Sequence, residues 1–583
     1  MSPLIRSLLE KRGITEPADI HAFLNPNYEL HTHSPFLLEG MDRAVARVLS
    51  AITRGERIAV YADFDCDGIP GAALLLDFFA KIKYGNVEAY LPHRDREGYG
   101  FHIEAIEELA TRDVKLIITV DVGTNAVDAV RFAREKGVDV IVTDHHELSA
   151  DPVRSDASNG AGAVAVLNPK LTPTEASGLV PYPFPHLCGA GVAFKLAQAL
   201  LIEGRKHSTP NFHDIPAGWE KWLLDLVGIA TIADMVPLTG ENRTLAYFGL
   251  AVLRKSPRLG IIALCKCLRL KQNKITESDI GFSFAPRINA ASRMDEPDLA
   301  LRLLTTRDSQ EAEKLALHLD RLNTSRKGIV GGVVREAKRR MRERFSAGEK
   351  VVVLGDTEWK PSLLGLAANS LMEGRNGVVC LWGRDALGRL KGSCRSDGSI
   401  SVVELFANSG SAFLEYGGHN AAGGFSVSHE SVHTLYEDLA RSAEKLWRAP
   451  ASGEVESNAD PVRSDASNGA DARVSLSEVT PILFAGVSSL APFGIGNPKP
   501  VFLISDATIS SVRKFGRSNN HIELILSCAR TGATRRAFDF FKTAESFTRA
   551  PEAGHTADIL ATIERDSFRG GLALRIVDIV SAT

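Results

Sequence analysis

Three short strings of acidic and imidazole residues suit the binding of divalent metal ions. They are Asp63-Phe-Asp65-Cys-Asp67-Gly68, Thr119-Val-Asp121-Val-Gly123 and Thr143-Asp144-His145-His146. Carboxylates at alternate positions of an extended chain project to one side. Charges that close repel one another unless cations lie among them. Oxygen donors favour Mg²⁺ or Mn²⁺ over zinc, and the histidines shift the preference towards Mn²⁺. The first string also fits the opening of an EF-hand calcium loop, with Gly68 at the sixth position. Its twelfth position is Leu74, where that loop needs a bidentate Glu. The string also follows a strand rather than a helix, so the calcium loop is excluded. A fourth acid, Asp234, ends a long apolar helical stretch, where either metal ligation or a solvated helix end would serve it.

The elements that must position these residues alternate. Residues 57–62, 87–91, 115–120 and 138–143 read as strands, and 71–83, 102–111 and 126–136 as helices. Near-continuous apolar strands in βα alternation indicate a parallel sheet covered on both faces. Each string follows a strand, and ligand groups in such sheets gather beyond the carboxyl ends. A lone Asp there is usually a helix cap; the convergence of three strings points to one crevice. Helical sequence dominates to about 345, including 219–233 and a charged stretch over 309–345. A second α/β segment runs from 350 to about 448, and short alternating runs from about 476 predict a small β-barrel. The expected fold class is multidomain α/β. Its spans are an N-terminal helical segment (1–50), a parallel-sheet domain (51–255), a helical connector (256–345), a smaller α/β domain (346–450), a linker (451–475) and the barrel (476–583). The string ADPVRSDASNGA occurs identically at 150–161 and 459–470, and reads as inserted linker sequence without function.

At 583 residues the chain is too long for one core, and 44% hydrophobic with 24% charged residues is ordinary for a globular protein. A net charge of -3 excludes a global basic field, so any nucleic-acid surface must come from local clusters. Seven cysteines without a CxxC pair make neither a disulfide framework nor a zinc site. Cys265 and Cys267 read as core. No signal-peptide or membrane-span pattern is found, so a cytoplasmic protein with no membrane partner is expected.

These residues resemble the DHH phosphoesterase superfamily, named for the Asp144-His145-His146 triplet, and within it the RecJ family of bacterial single-strand-specific exonucleases. The resemblance covers essentially the whole chain. Besides the metal strings it runs through Arg12-Gly-Ile14, Phe23-Leu-Asn-Pro26, Pro92-His-Arg94, Gly98-Tyr-Gly100 and Ala285-Pro-Arg287-Ile-Asn289-Ala-Ala291. It continues through Lys391-Gly-Ser393-Cys-Arg395-Ser396, Gly417-Gly-His419 and Pro492-Phe-Gly494-Ile-Gly496-Asn-Pro498. It implies a DHH domain, helical connector, DHH-associated domain and C-terminal OB-fold around a groove. It also implies two ions, Mn²⁺ in preference to Mg²⁺. Asp63, Asp65 and Asp121 would hold one, and Asp67, Asp121, His145 and Asp234 the other. His146 would face the scissile phosphate, and Asp144 would orient a histidine. Arg94, Ser393 and Arg395 match a terminal 5′-phosphate pocket, with Gly417, Gly418 and His419 beside it and Arg287, Asn289 and Arg293 along the groove. Three departures stand out. Val122 replaces a more usual polar residue or cysteine, Cys394 replaces a glycine and is expected to narrow the phosphate pocket, and Trp359 to Gly365 matches only loosely.

Two further surfaces carry basic residues. One is the stretch from Arg335 to Arg344, which reads either as a solvated charged helix or as a strand-tracking wall. The other, on the barrel, interleaves Arg513, Lys514, Arg517, His521, Arg530, Arg535 and Arg536 with Phe515, Phe538, Phe540 and Phe541, as single-strand binding by stacking requires. The resemblance therefore implies a monomeric two-metal 5′ to 3′ exodeoxyribonuclease on single-stranded DNA, acting in repair and recombination. A helicase or single-strand-binding protein is a further candidate partner. An oligonucleotide or nucleotide phosphatase and a non-catalytic nucleic-acid-binding protein remain the alternatives.

Overall fold

The computed structural model describes all residues except 156–161, 173–179, 207–209, 347, 449–468, 517–518, 567–568 and 582–583. Half of the first copy of the duplicated string (156–161), most of the second (459–468) and Arg517 lie outside the described residues. The chain divides into two compact units, one of Met1–Thr32, Pro237–Tyr247 and Asn458–Thr583, the other of His33–Val236 and Phe248–Ser457.

The larger unit holds two sheets. In the first, β1 (Arg57–Ala62), β2 (Val87–Tyr90), β3 (Val114–Val120), β4 (Asp139–Thr143) and β5 (Ala165–Leu167) pair in the order β2-β1-β3-β4-β5. Every pairing is parallel. Buried aliphatics run almost unbroken along β1, β3 and β4, as burial on both faces demands. This order reverses direction between β1 and β3, and that switch point opens a crevice at the carboxyl ends. Helix Gly68–Lys81, also apolar on nearly all sides, follows β1.

In the second sheet, β6 (Val351–Gly355), β7 (Val378–Arg384), β8 (Leu390–Ser396), β9 (Glu415–His419) and β10 (Ala422–Val427) pair in the order β6-β7-β8-β10-β9. Only β6 and β7 are parallel. Between the sheets in sequence come Ala285–Arg293 and the 36-residue helix Ser309–Arg344, which Asp308 caps through the Gln310 and Glu311 amides.

In the smaller unit, β12 (Phe502–Phe515), β13 (His521–Ser527), β14 (Thr534–Asp539), β15 (Thr556–Arg565) and β16 (Leu572–Ser581) form a ring, closed where β12 also pairs with β15; β11 (Ala472–Val474) lies beside β12. Ile5, Leu8 and Leu9 of the first helix, Pro3–Glu10, share the barrel core. Arg12 donates to the Asn497 side chain (2.9 Å) and the Pro498 carbonyl (2.7 Å), joining two of the strings singled out in the sequence.

Candidate metal centre

The backbone ladder continues one residue beyond each central strand and fixes the acidic residues there. The Asp63 amide donates to Val120 O (3.1 Å), Asp121 to Thr143 O (2.9 Å) and Asp144 to Leu167 O (3.1 Å). Asp63, Asp121 and Asp144 therefore stand in a row across β1, β3 and β4. Asp121 is held at φ 62°, in the left-handed region that Asp tolerates better than most residues. Two glycines make room. A Cβ on Gly68 would lie 2.3 Å from Asp63 O, and one on Gly189 would lie 2.6 Å from Asp121 Cβ.

Asp65 Oδ1 accepts from the Asp67 and Gly68 amides at 2.8 and 3.2 Å, folding the triplet into the first turn of Gly68–Lys81. Asp67 accepts from the Gly189 and Ala190 amides (2.6 and 2.8 Å) at the start of helix Gly189–Gly204, where free N–H groups favour an anion. Asp234 is the C-cap of Leu224–Ala233.

These carboxylates converge on His145. Its Nε2 lies 3.1 Å from Asp121 Oδ1, 3.6 Å from Asp234 Oδ2 and 3.7 Å from Asp67 Oδ2. Three overlapping sets bring their donor atoms within 4.8 Å of one another: Asp63 with Asp65 and Asp121, Asp67 with His145 and Asp234, and Asp121 with His145 and His146. Asp63 Oδ1, Asp121 Oδ1 and Asp234 Oδ2 are buried and accept no hydrogen bond from the described residues.

Burial, then neighbouring Asp65, pushes the Asp63 carboxyl up to about 8 and the Asp67 carboxyl to about 6. Burial and Asp67 push Asp234 up to about 9 and raise Asp121 well above the usual range. Burial and His146 lower His145 to about 3, leaving a neutral imidazole, the form that ligates metals. Burial works against His146 protonation, but its Nδ1 lies 2.7 Å from Asp144 Oδ1 and this contact raises it. Burial likewise opposes the Asp144 charge, yet His146 and the Thr124 amide, 2.9 Å from Oδ2, hold that carboxyl low.

The donors open into a cavity of about 780 Å³ whose lining includes Arg94, Asn289, Arg293, Gly417, Gly418 and His419. Arg94 lies over the Phe64 ring at 4.5 Å. Its loop is tied by Glu97, which accepts from the His93 amide (2.5 Å) and Tyr90 hydroxyl (2.8 Å). Ser393 and Arg395 do not line this cavity; both approach Gly365, and the charge of Arg395 is felt at Arg293. Arg287 turns away from it to Asp320 (2.9 Å). The pleat corrects the expectation for Cys394. Alternation along β8 buries its thiol in the core, 2.7 Å from Cys380 Sγ, on the opposite face from Ser393 and Arg395, so it does not narrow the pocket.

Two residues emerge only in three dimensions. Tyr99 Oη lies 3.2 Å from the His146 ring nitrogens and lines the cavity; its place in Gly98-Tyr-Gly100 was the available signal. Arg326, whose buried Nε has no acceptor among the described residues, adds to the positive field at Arg293, and nothing in its charged helical stretch singled it out.

Strand order, switch point and the Asp144-His145-His146 triplet together define the DHH class of α/β proteins. A family model described as the DHH family, N-terminal domain, matches residues 57–231, and one described as the RecJ OB domain matches 470–578. The single-stranded-DNA-specific exonuclease RecJ of Bacillus subtilis (strain 168) is 34% identical, over 90% of this chain and 62% of its own length, so the chain spans under two thirds of that relative. Its Escherichia coli (strain K12) counterpart is 30% identical over 86% of this chain and 83% of its own. The crystal structure of RecJ in complex with Mn²⁺ from Thermus thermophilus superposes with a TM-score of 0.76 at 28% identity, covering 100% of this chain and 76% of that one. The chain belongs to the RecJ family.

Proposed function

We propose that the chain is a metal-dependent exonuclease that hydrolyses single-stranded DNA from the 5′ end towards the 3′ end, in DNA repair and recombination. One observation carries this reading: overlapping carboxylate and imidazole donors face arginines and a glycine-rich strand across one cavity. The donors fit divalent ions. Three carboxylate oxygens without a protein donor among the described residues crowd into one buried cluster, and its mixed oxygen and nitrogen donors suit Mn²⁺ over Mg²⁺.

Asp63, Asp65 and Asp121 would hold one ion, and Asp67, Asp121, His145 and Asp234 the other. Bound there, such a pair supplies an activated water and offsets charge on the phosphate. The remaining roles belong to side chains of this chain. Asp144 orients His146, whose imidazole donates to a phosphate oxygen. Arg94 and Arg293 bind the strand-end phosphate, with Ser393 and Arg395 behind them and Arg287 bracing the wall through Asp320. Asn289, His419 and the Gly417-Gly418 backbone border its approach. The OB-type barrel would hold the trailing strand by stacking and phosphate contact. Its Phe541 is 81% exposed and adjoins His521, while Phe540 lies beneath Arg575 (4.5 Å). The proposed domains follow the spans read from the sequence. A monomer, and a helicase or single-strand-binding protein as partner, rest on the family resemblance, and the cytoplasm on the expectation read from the sequence.

Digestion of 5′- and 3′-labelled single strands with duplex controls, in Mn²⁺ and in Mg²⁺, tests the reading. Release of label from the 5′ end of single strands only is expected. Wild-type rates from Asp65→Ala or His146→Ala protein would overturn it.

A further inference from the structure

A second cavity, of about 830 Å³, shares no lining residue with the metal centre. It lies at the far end of helix Gly68–Lys81, whose 14 residues span about 21 Å from Asp67 at its start. Its volume falls in the range of small-molecule sites, on the order of 300–1,000 Å³.

Two indoles, Trp219 and Trp222, form part of the wall, and Trp222 is 45% exposed. Lys81 Nζ lies 5.5 Å from the Trp219 ring centre, and Lys255 Nζ the same distance from Trp222. The floor is a closed ion-pair network: Arg258 Nε donates to Asp225 Oδ2 (2.8 Å), and its guanidinium also holds Asp77. The rim carries Lys81, Lys83 and Arg307; the nearest carboxylate to Arg307 is Asp77, at 3.7 Å, beyond hydrogen-bond reach. Four cations thus line the cavity against two carboxylates, Asp77 and Asp225, both already engaged by Arg258. The two positive charges left over match a phosphate monoester, which carries about -1.5 to -2 at neutral pH. Aromatic rings beside that charge suit a flat base.

We propose that this cavity is an accessory site for a nucleoside 5′-monophosphate, with the base against Trp222 and the phosphate among Lys81, Lys83 and Arg307. Hydrolysis of a DNA strand releases this class of molecule, so the proposed function would supply the ligand. The binding measurement itself does not depend on that function.

Calorimetric titration of the full chain with deoxyadenosine 5′-monophosphate, with EDTA present to strip the metal centre, tests the site. Saturable binding is expected, at least tenfold weaker in Trp222→Ala and in Arg307→Glu and unchanged in Arg94→Ala. Deoxyadenosine and inorganic phosphate should each bind at least tenfold more weakly than the nucleotide. No saturable binding, unchanged binding in the folded Arg307→Glu protein, or loss confined to Arg94→Ala would overturn the assignment. Both exposed substitutions lie outside the metal cavity, so nuclease rates of these variants should stay at wild-type levels.

Discussion

Asp144 is buried beside the metal cavity and is not part of its lining. It spends both oxygens on neighbours, accepting from the His145 and Thr124 amides and holding the His146 ring. Asp144→Asn keeps the shape but weakens its hold on the imidazole. A rate loss of about 10–100-fold is expected, with the acid limb of the pH–rate profile displaced while Mn²⁺ stoichiometry is kept. A rate within twofold of wild type would remove Asp144 from the centre. The donors were legible in the sequence because metal chemistry is written in residue type and spacing. Arg287 and Cys394 were less so. The first is decided by Asp320, 33 residues away, and the second by which side of a pleat each position occupies.

At the scale of elements, strands and helix starts do the positioning. Helix Gly189–Gly204 approaches so closely that Gly189→Ala would drive a methyl group into Asp121. A loss of about 1–3 kcal/mol of stability is expected from overpacking. Weaker Mn²⁺ binding should accompany it, read by thermal melting and titration of the same samples. The long helix separates two kinds of basic residue that sequence reading could not tell apart. Arg339 is engaged by Glu336 and Glu343, and Arg340 by Glu336 and Asp356, so at these two positions the solvated charged helix describes the stretch better than a strand-tracking wall. Arg326 donates to Asn323 Oδ1 (2.9 Å) but keeps its buried Nε without an acceptor among the described residues. Arg326→Ala should therefore lower the salt slope of single-strand binding by about one, and Arg339→Ala should leave it unchanged.

For the whole molecule, acids held above their ordinary range link folding to pH and to metal. A carboxyl raised on folding stabilises the fold while protonated, so its contribution is present below the unfolded value and lost as pH rises through the folded one. For Asp63 and Asp234 that window runs from the ordinary carboxylate range to about 8 and about 9. The metal-free protein should melt at progressively lower temperature across it. Mn²⁺ should restore the loss, with a gain larger at pH 9 than at pH 6; a gain independent of pH would argue against ions replacing protons in this cluster. The alternating βα pattern and the barrel were readable from periodicity. That the first helices share the barrel core was not, because a helix's partner across hundreds of residues leaves no local pattern. Strand β9 carries a last consequence. It is the edge of its sheet and exposed throughout, an open row of backbone groups of the kind that recruits strands from other copies. Gly417 and Gly418 have low strand propensity, and Glu415 adds a charge, so the edge is a poor template for intermolecular pairing. The glycines that line the metal cavity thus also guard the protein against aggregation.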